Sequence, residues 1–203
     1  MKKSFVEGLF PTPVYINNID RNFTEQELQF VNDQQNNCIK NEGNIHTEDS
    51  YVLDRKQFKN IKIFLENCCK DYLEKIICPE NNIELYITQS WLNYTKENQY
   101  HHKHLHSNSI ISGVLYFNCN NDSIKFYNSN INHTLKPLIK NYNFWNSESC
   151  TFPTKTGELF MFPSSLNHGV DVKKGDNIRI SLSFNTFYRG VLGSDTALTK
   201  LIL

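Results

Sequence analysis

Four of the seven histidines of this sequence lie within six consecutive positions, in the run His101-His102-Lys-His104-Leu-His106. In an extended strand, alternate side chains share one face about 6.6 Å apart, so His102, His104 and His106 would point one way and His101 the other. Two neighbours on one face can converge on a single metal ion, whereas all three would span about 13 Å. The spacing therefore leaves two candidate metal-binding pairs, 102/104 and 104/106. An exposed histidine-rich loop with incidental metal affinity is the alternative.

A distant histidine and an arginine extend this pattern. His168 follows a predicted buried strand and turn, residues 157–167, and Arg179 comes eleven residues after it. Arg179 lies in an alternating strand with Ser181, Ser183 and Asn185 on its own face and with Ile178, Ile180, Leu182 and Phe184 on the other. A planar guanidinium group can bind a carboxylate with two hydrogen bonds, so this polar face indicates a carboxylate-binding site. A surface arginine on an edge strand is the alternative interpretation.

The elements that position these residues divide the chain into a helical part and a strand part. Residues 1–82 are predicted to be mostly helical. Thr24 and Glu27 form a capping box for a first helix that closes near Gly43. Its apolar residues are Leu28, Phe30, Val31 and Ile39. Asp54 and Gln57 form a second capping pair for a helix that runs to about Cys78 and is stopped by Pro79. Its apolar stripe consists of Phe58, Ile61, Leu65, Cys68, Tyr72 and Ile76.

From residue 83 onward the apolar period changes to two, which indicates strands. The predicted strands are 83–94, 110–117, 123–127, 159–162, 168–172 and 178–187. Two helices followed by six or more short strands predict a mainly β, α+β fold in which helices brace an antiparallel sandwich or barrel. The last residues, 190–203, are expected to form a short helix or a tail.

Composition narrows the functional classes. Of 203 residues, 39% are hydrophobic and 21% are charged, which excludes a membrane protein and a charged disordered chain. No apolar run reaches the roughly 18 residues of a membrane span, and a secretory signal is not expected, because no apolar stretch follows the first basic residues. The formal net charge of +0 makes nucleic-acid binding unexpected. Six cysteines without a C-x-x-C pair indicate reduced thiols, and hence the cytoplasm, or the host cytoplasm for a viral protein.

The order of H-x-H, a long gap, a third histidine and then an arginine resembles the Fe(II)- and 2-oxoglutarate-dependent oxygenases. More narrowly, the chain resembles a 2-oxoglutarate–Fe(II) oxygenase family common in marine bacteria and their phages. The residues that carry this resemblance are 8–15, 91–93, 100–106, 112–118, 157–170 and 179–185. Residues 120–155 and those after Tyr188 diverge. The resemblance implies a double-stranded β-helix in one domain, 1–203, with helical support in 1–82, a β-helix core in 83–188 and a tail in 189–203.

The resemblance also implies a metal site. By position, His104 matches the first metal ligand, His106 the second and His168 the third, and the metal is Fe(II). The second ligand of the wider superfamily is usually a carboxylate, which leaves three open positions for 2-oxoglutarate and O₂. Three neutral imidazoles would leave the centre one unit more positive, which favours anionic 2-oxoglutarate. Such a site also suits Zn²⁺.

The cosubstrate site is implied in the same way. Arg179 matches the residue that forms a salt bridge with the distal carboxylate of 2-oxoglutarate, and Ser181 completes an R-x-S pair. Tyr116 aligns with a tyrosine that hydrogen-bonds the same carboxylate, and a core tyrosine is its alternative interpretation. Asn93 stands where the family places a polar residue near the cosubstrate.

The implied activity is a dioxygenase reaction, with hydroxylation as its default outcome. The substrate could be a peptidyl side chain, a small molecule or a nucleobase, and the oligomeric state is open. Two other classes compete with this hypothesis: a cupin-like three-histidine metal enzyme without 2-oxoglutarate, which does not need Arg179, and a non-catalytic β-sandwich binding module, for which metal is dispensable.

Overall fold

The computed structural model describes residues 4–128 and 137–203. Two α-helices and twelve strands are present in these ranges: β1 Tyr15–Asn18, α1 Glu25–Gln34, β2 Cys38–Lys40, β3 Ile45–Thr47, α2 Lys59–Tyr72, β4 Ile83–Thr95, β5 His101–His104, β6 Ile111–Asn118, β7 Ser123–Tyr127, β8 Ser149–Pro153, β9 Glu158–Pro163, β10 His168–Val170, β11 Arg179–Leu192 and β12 Leu201–Ile202.

The first helix begins as predicted but ends earlier. The Thr24 hydroxyl accepts a hydrogen bond from the Glu27 N–H, and the Glu27 carboxylate accepts one from the Thr24 N–H, so the capping box is confirmed. The helix ends at Gln34 rather than near Gly43. The predicted end was wrong because Ile39 lies in β2, which pairs with β3, and β3 in turn pairs with β4. Strand pairing therefore outweighs the local helical pattern.

The second helix also differs from its predicted start. Asp54 ends a 3₁₀ turn, and its carboxylate accepts a hydrogen bond from Lys62 at 2.7 Å instead of capping a helix. A second 3₁₀ turn and then α2 follow, and a π-helical turn, Leu73–Ile77, replaces the predicted last α-helical turn. The apolar stripe is confirmed. Its buried members are Phe58, Ile61, Leu65, Cys68 and Tyr72, and Ile76 is partly buried.

The strands form two antiparallel sheets. The larger sheet has the order β1-β9-β6-β11-β4-β3-β2, with β12 paired to β11, and the smaller has the order β5-β10-β7-β8. All six predicted strands are present, within a few residues at most ends, although β11 extends to Leu192. The two-residue strand β12 lies in the segment 190–203, which was expected to form a short helix or a tail. The short strands β1, β2, β3, β5, β8 and β12 were not predicted, because two to four residues show little alternation and β8 lies in a polar region.

Two hydrophobic clusters hold the layers together. The larger packs α1 and α2 against one face of the large sheet, where Leu92, Leu182 and Phe184 are fully buried. The smaller lies between the two sheets and contains Val114, Tyr116, Ile124, Phe126, Phe160 and Phe162. Helices on one side and a second sheet on the other confirm the predicted double-stranded β-helix braced by helices. Within the described residues, no helix combines the length and apolar character needed to cross a bilayer.

One close contact in this core gives a prediction about stability. Gly113 of β6 pairs with Phe184 of β11, and a Cβ atom at Gly113 would lie 2.2 Å from the Phe184 ring. Gly113→Ala should therefore lower the free energy of unfolding by about 1–3 kcal/mol, measured by urea denaturation. Phe184→Leu should cost less in the Gly113→Ala background than in the wild type, because the smaller side chain relieves the clash. Additive effects of the two substitutions would contradict this account.

Candidate metal and carboxylate site

Strand pairing brings three of the predicted histidines together. His104 of β5 pairs in register with His168 of β10, and their ring centroids are 4.3 Å apart. The chain turns after β5, where the His106 N–H donates to the Ser164 carbonyl at 3.0 Å. This turn places the His106 ring 5.0 Å from that of His104 and 5.2 Å from that of His168. One nitrogen from each of these rings lies within 4.8 Å of the others, so the three could hold one metal ion.

Backbone carbonyls orient two of these rings. His104 Nδ1 lies 2.8 Å from the His102 carbonyl oxygen, and His168 Nδ1 lies 3.0 Å from that of Leu166. A carbonyl can only accept, so each Nδ1 carries the proton and each Nε2 keeps a free lone pair. Metal-binding histidines are commonly fixed in their tautomer by such contacts.

Burial keeps the three rings neutral. Burial, followed by the nearby His104, lowers the pKa of His168 to about 3 and that of His106 to about 4. The pKa of His104 is lowered as well, first by burial. Since a protonated imidazole cannot bind a metal, neutral rings at pH 7 suit a metal site.

His101, the first histidine of the run, does not lie on the face that strand alternation predicts. His101 was predicted on the opposite face, but its ring stacks on that of His104 with centroids 4.5 Å apart. The reason is a register shift between β5 and β10: His168 pairs with His104, and Val170 pairs with His101. From one pair to the next, the chain advances three residues on β5 but only two on β10. This β-bulge turns His101 toward the same cavity.

A second group of histidines competes for a metal. One nitrogen each of His101, His102 and His104 also lie within 4.8 Å of one another. In this group, however, His101 Nε2 contacts Asn41 Nδ2 at 3.3 Å and His102 Nδ1 contacts the Glu42 carbonyl at 3.3 Å. Both groups share His104, and among the described residues neither includes a carboxylate.

Arg179 lines the same cavity. It pairs in register with Thr95 and is 2% exposed, and its Nη2 donates to the Thr95 hydroxyl at 3.1 Å. Its Nε and Nη1 are buried and have no partner among the described residues. The buried Asp122 carboxylate is paired with Lys173 instead, at 3.4 Å. Burial lowers the pKa of Arg179, because a desolvated cation is costly, and a bound anion would remove that cost.

The other predicted cosubstrate residues surround Arg179. Tyr116 and Ser181 pair with each other across β6 and β11 and line the cavity. Burial raises the pKa of Tyr116, so its hydroxyl stays a neutral donor. Asn93 pairs with Ser181 on the other side, and its Nδ2 donates to the Ser183 hydroxyl at 3.0 Å. Its Oδ1 is buried without a partner within 4–128 and 137–203.

These features fit Fe(II) and 2-oxoglutarate. Three neutral imidazoles supply nitrogen ligands that Fe(II) accepts, and two unpartnered guanidinium nitrogens supply donors for a carboxylate. All four residues line one cavity, so a ligand could contact the histidines and Arg179 together.

Two residues near the site, Trp91 and Thr95, were not predicted to have a role. The Trp91 ring stacks near His106, with centroids 5.7 Å apart, and lines the cavity. Thr95 binds Arg179. The available signal for Thr95 was its position two residues after Asn93, which places it on the same face of β4.

Comparison with known proteins agrees with this geometry. Residues 89–185 match a family described as "Putative 2OG-Fe(II) oxygenase". Among curated proteins, none matches this sequence. The fold is similar to HygX from Streptomyces hygroscopicus, crystallised with nickel, 2-oxoglutarate and hygromycin B. Its TM-score is 0.58, with 9% identity over 86% of this chain and 82% of that one.

Two prolyl hydroxylases share the fold. A Pseudomonas putida prolyl-4-hydroxylase has a TM-score of 0.57 and 10% identity, over 88% of this chain and 94% of its own. A prolyl hydroxylase from Trichoplax adhaerens, in complex with a peptide fragment, has a TM-score of 0.55 and 15% identity, over 86% and 83%. The segment that matches the family, 89–185, carries the clustered histidines and Arg179. Residues 89–185, slightly less than half of the chain, therefore match the 2OG-Fe(II) oxygenase family, and the fold is similar to that of two prolyl hydroxylases.

Proposed function

We propose that the protein is a hydroxylase in which His104, His106 and His168 hold Fe(II) and Arg179 binds the distal carboxylate of 2-oxoglutarate. The observation that carries this proposal is the buried Arg179 guanidinium, which has no counter-ion among the described residues and lines the same cavity as the three histidines. A metal site without a ketoacid would not need such a cation. A cupin-like enzyme and a non-catalytic binding module are therefore disfavoured.

The choice of metal ligands rests on hydrogen bonding. His104 and His168 have their Nδ1 atoms held by backbone carbonyls and present Nε2 to the cavity. In the competing group, His101 would have to give up its contact with Asn41 if it bound metal through Nε2. We therefore assign the metal to the group that includes His168.

The remaining cavity residues bind and orient the cosubstrate. The Ser181 and Tyr116 hydroxyls would donate hydrogen bonds to the carboxylate that Arg179 binds. These contacts would fix the distance between that carboxylate and the metal. Phe162 and Trp91 line the cavity and exclude water near the histidines. When bound, Fe(II) and 2-oxoglutarate supply the oxidising chemistry, in which 2-oxoglutarate, O₂ and R–H become succinate, CO₂ and R–OH.

The three-imidazole ligand set has an electrostatic consequence. Without a carboxylate ligand, the metal keeps its full +2 charge, which strengthens binding of the anionic ketoacid. Zn²⁺ suits three histidines as well and would compete with Fe(II). Activity should therefore be sensitive to zinc.

Hydroxylation of a peptidyl side chain or a small molecule is the reaction that we favour. The prolyl hydroxylases with a similar fold and HygX with bound hygromycin B support these two substrate classes. A nucleobase within a nucleic acid is less suited, because the chain has 21 basic and 21 acidic residues and no excess positive charge. Six cysteines with free thiols suit a reducing compartment such as the cytoplasm.

The metal assignment can be tested by Fe(II) binding under anaerobic conditions. His168→Ala should abolish stoichiometric binding, because it removes a ligand of the proposed group. The matched control is His102→Ala, which belongs only to the competing group and should leave binding nearly unchanged. Loss of binding in His102→Ala with retention in His168→Ala would assign the metal to the competing group.

The cosubstrate assignment can be tested by calorimetry with Mn²⁺ in place of iron. Arg179→Ala should weaken 2-oxoglutarate binding at least about thirtyfold, because truncating one side of a buried charge pair costs about 2–5 kcal/mol. Mn²⁺ affinity should hardly change. Arg179→Lys should recover only part of the binding, since an ammonium group cannot form the two-pronged contact. Unchanged 2-oxoglutarate affinity in Arg179→Ala would contradict the proposed function.

The lowered histidine pKa values predict how stability depends on pH. Below about pH 6.5, the histidines of the unfolded chain bind protons that the buried rings do not, so the free energy of unfolding falls as the pH decreases. For His168, with a folded pKa of about 3, the slope approaches about 1.4 kcal/mol per pH unit. Urea denaturation of the metal-free protein at pH 7 and pH 5 should show this loss, and His168→Asn should reduce it. An equal loss in both proteins would exclude His168 as its source.

A further inference from the structure

The turn between β2 and β3 contacts the segment that leads into β5, the strand that carries His101, His102 and His104. The Tyr100 N–H donates to the Gly43 carbonyl at 3.1 Å, which ties this turn to the segment that leads into β5. Gly43 has a φ of +89°, and a Cβ atom there would lie 2.6 Å from the Tyr100 carbonyl oxygen. The turn therefore approaches the histidine strand as closely as its backbone allows. Its last residue, Asn44, is 3% exposed.

Asn44 reaches the arginine through one hydroxyl group. Its Nδ2 donates to the Thr95 Oγ1 at 3.3 Å, and Arg179 Nη2 donates to the same oxygen at 3.1 Å. A hydroxyl oxygen accepts two hydrogen bonds and donates one. Since both acceptor positions are taken, the Thr95 proton must point away from Asn44 and from Arg179 Nη2. Within residues 4–128 and 137–203, the Thr95 hydroxyl takes part in these two hydrogen bonds as an acceptor and in none as a donor.

The orientation of the Asn44 amide is fixed as well. Asn41 Nδ2 donates to Asn44 Oδ1 at 3.1 Å, so the oxygen of this amide faces Asn41 and its nitrogen faces Thr95. Asn41 Nδ2 also lies 3.3 Å from His101 Nε2, whose ring stacks on His104. The two asparagines thus connect the histidine strand with the arginine through consecutive hydrogen bonds.

A carboxylate bound to Arg179 would meet the needs that this arrangement leaves open. The guanidinium has two unpartnered nitrogens. The buried Thr95 oxygen accepts two hydrogen bonds, so its proton remains to be donated. An arginine alone would attract any anion, whereas an added hydroxyl donor at a fixed angle selects an oxygen at one position. Asn44 sets that angle because it occupies one lone pair of the Thr95 oxygen.

We propose that Asn44 is a positioning residue for the distal carboxylate of 2-oxoglutarate, and that it acts by turning the Thr95 hydroxyl into a donor toward that carboxylate. This inference rests on the proposed function, because it takes 2-oxoglutarate as the ligand of Arg179. It assigns to the β2–β3 turn, which lies outside the segment 89–185, a part in cosubstrate affinity.

Calorimetry on the Mn²⁺-loaded protein tests this inference with two ligands. 2-Oxoglutarate carries the distal carboxylate, and pyruvate has the same ketoacid group without it. Asn44→Ala should weaken 2-oxoglutarate binding about threefold to tenfold, the range expected for one neutral hydrogen bond, and leave pyruvate binding unchanged. The matched control is Glu42→Gln in the same turn, because Glu42 contacts His102 only through its backbone carbonyl. It should bind both ligands as the wild type does.

Substitutions at Thr95 separate a relay from a local packing effect. Thr95→Val should weaken 2-oxoglutarate binding at least as much as Asn44→Ala, and Thr95→Ser, which keeps the hydroxyl, should restore most of it. If Asn44 acts through Thr95, the double variant Asn44→Ala/Thr95→Val should bind 2-oxoglutarate no worse than Thr95→Val alone.

Three outcomes would overturn the inference. Wild-type affinity in Asn44→Ala or an equal loss for pyruvate and 2-oxoglutarate would exclude a role at the distal carboxylate. Additive losses in the double variant would exclude action through Thr95. In each of these cases 2-oxoglutarate still binds the wild-type protein, and the proposed function stands. If the wild type binds pyruvate but gains nothing from the distal carboxylate of 2-oxoglutarate, the proposed function fails together with this inference.

Discussion

The buried Arg179 guanidinium is the constraint on which the rest of the site depends. A cation that is 2% exposed and lacks a counter-ion among the described residues is costly, and the surrounding strands must offset that cost. The strand that carries it, β11, is hydrogen-bonded along most of its length to β4 and β6, and its other face packs in the main core. The fold can therefore hold a charge ready for a ligand, at the expense of stability without it.

The histidines depend on a second local feature, the bulge between β5 and β10. A regular strand would place His101 and His104 on opposite faces, but the register shift turns both rings into the cavity. The turn that follows β5 then brings His106 beside His168. These irregular segments, together with the β2–β3 turn, bring histidines of the smaller sheet close to Arg179 of the larger sheet. The regular strands supply rigidity, and the irregular segments supply the geometry of the site.

Sequence patterns predicted the long helices and strands better than the helix ends, the turns and the orientation of single side chains. The alternation around Arg179 and the buried stripe of α2 follow directly from periodicity, which reports burial. The early end of α1 and the orientation of His101 could not be predicted, because both result from pairing with strands distant in sequence. The roles proposed for His106 and Tyr116 came from family resemblance, since spacing alone left two histidine pairs open. The contacts of Thr95 and Asn44 could not be predicted, because hydrogen bonds between segments distant in the chain leave no local sequence pattern.

The central claim is that one cavity holds a metal on three histidines and a ketoacid on Arg179 at the same time. An anaerobic titration of the Fe(II)-loaded protein with 2-oxoglutarate, followed by visible absorption, tests this claim most directly. A ketoacid chelated to Fe(II) gives a charge-transfer band that neither component shows alone. We expect the band to appear and to saturate at one equivalent of 2-oxoglutarate in the wild type, and to be absent in His168→Ala. Saturable binding of both ligands without the band would place them at separate sites and contradict the account.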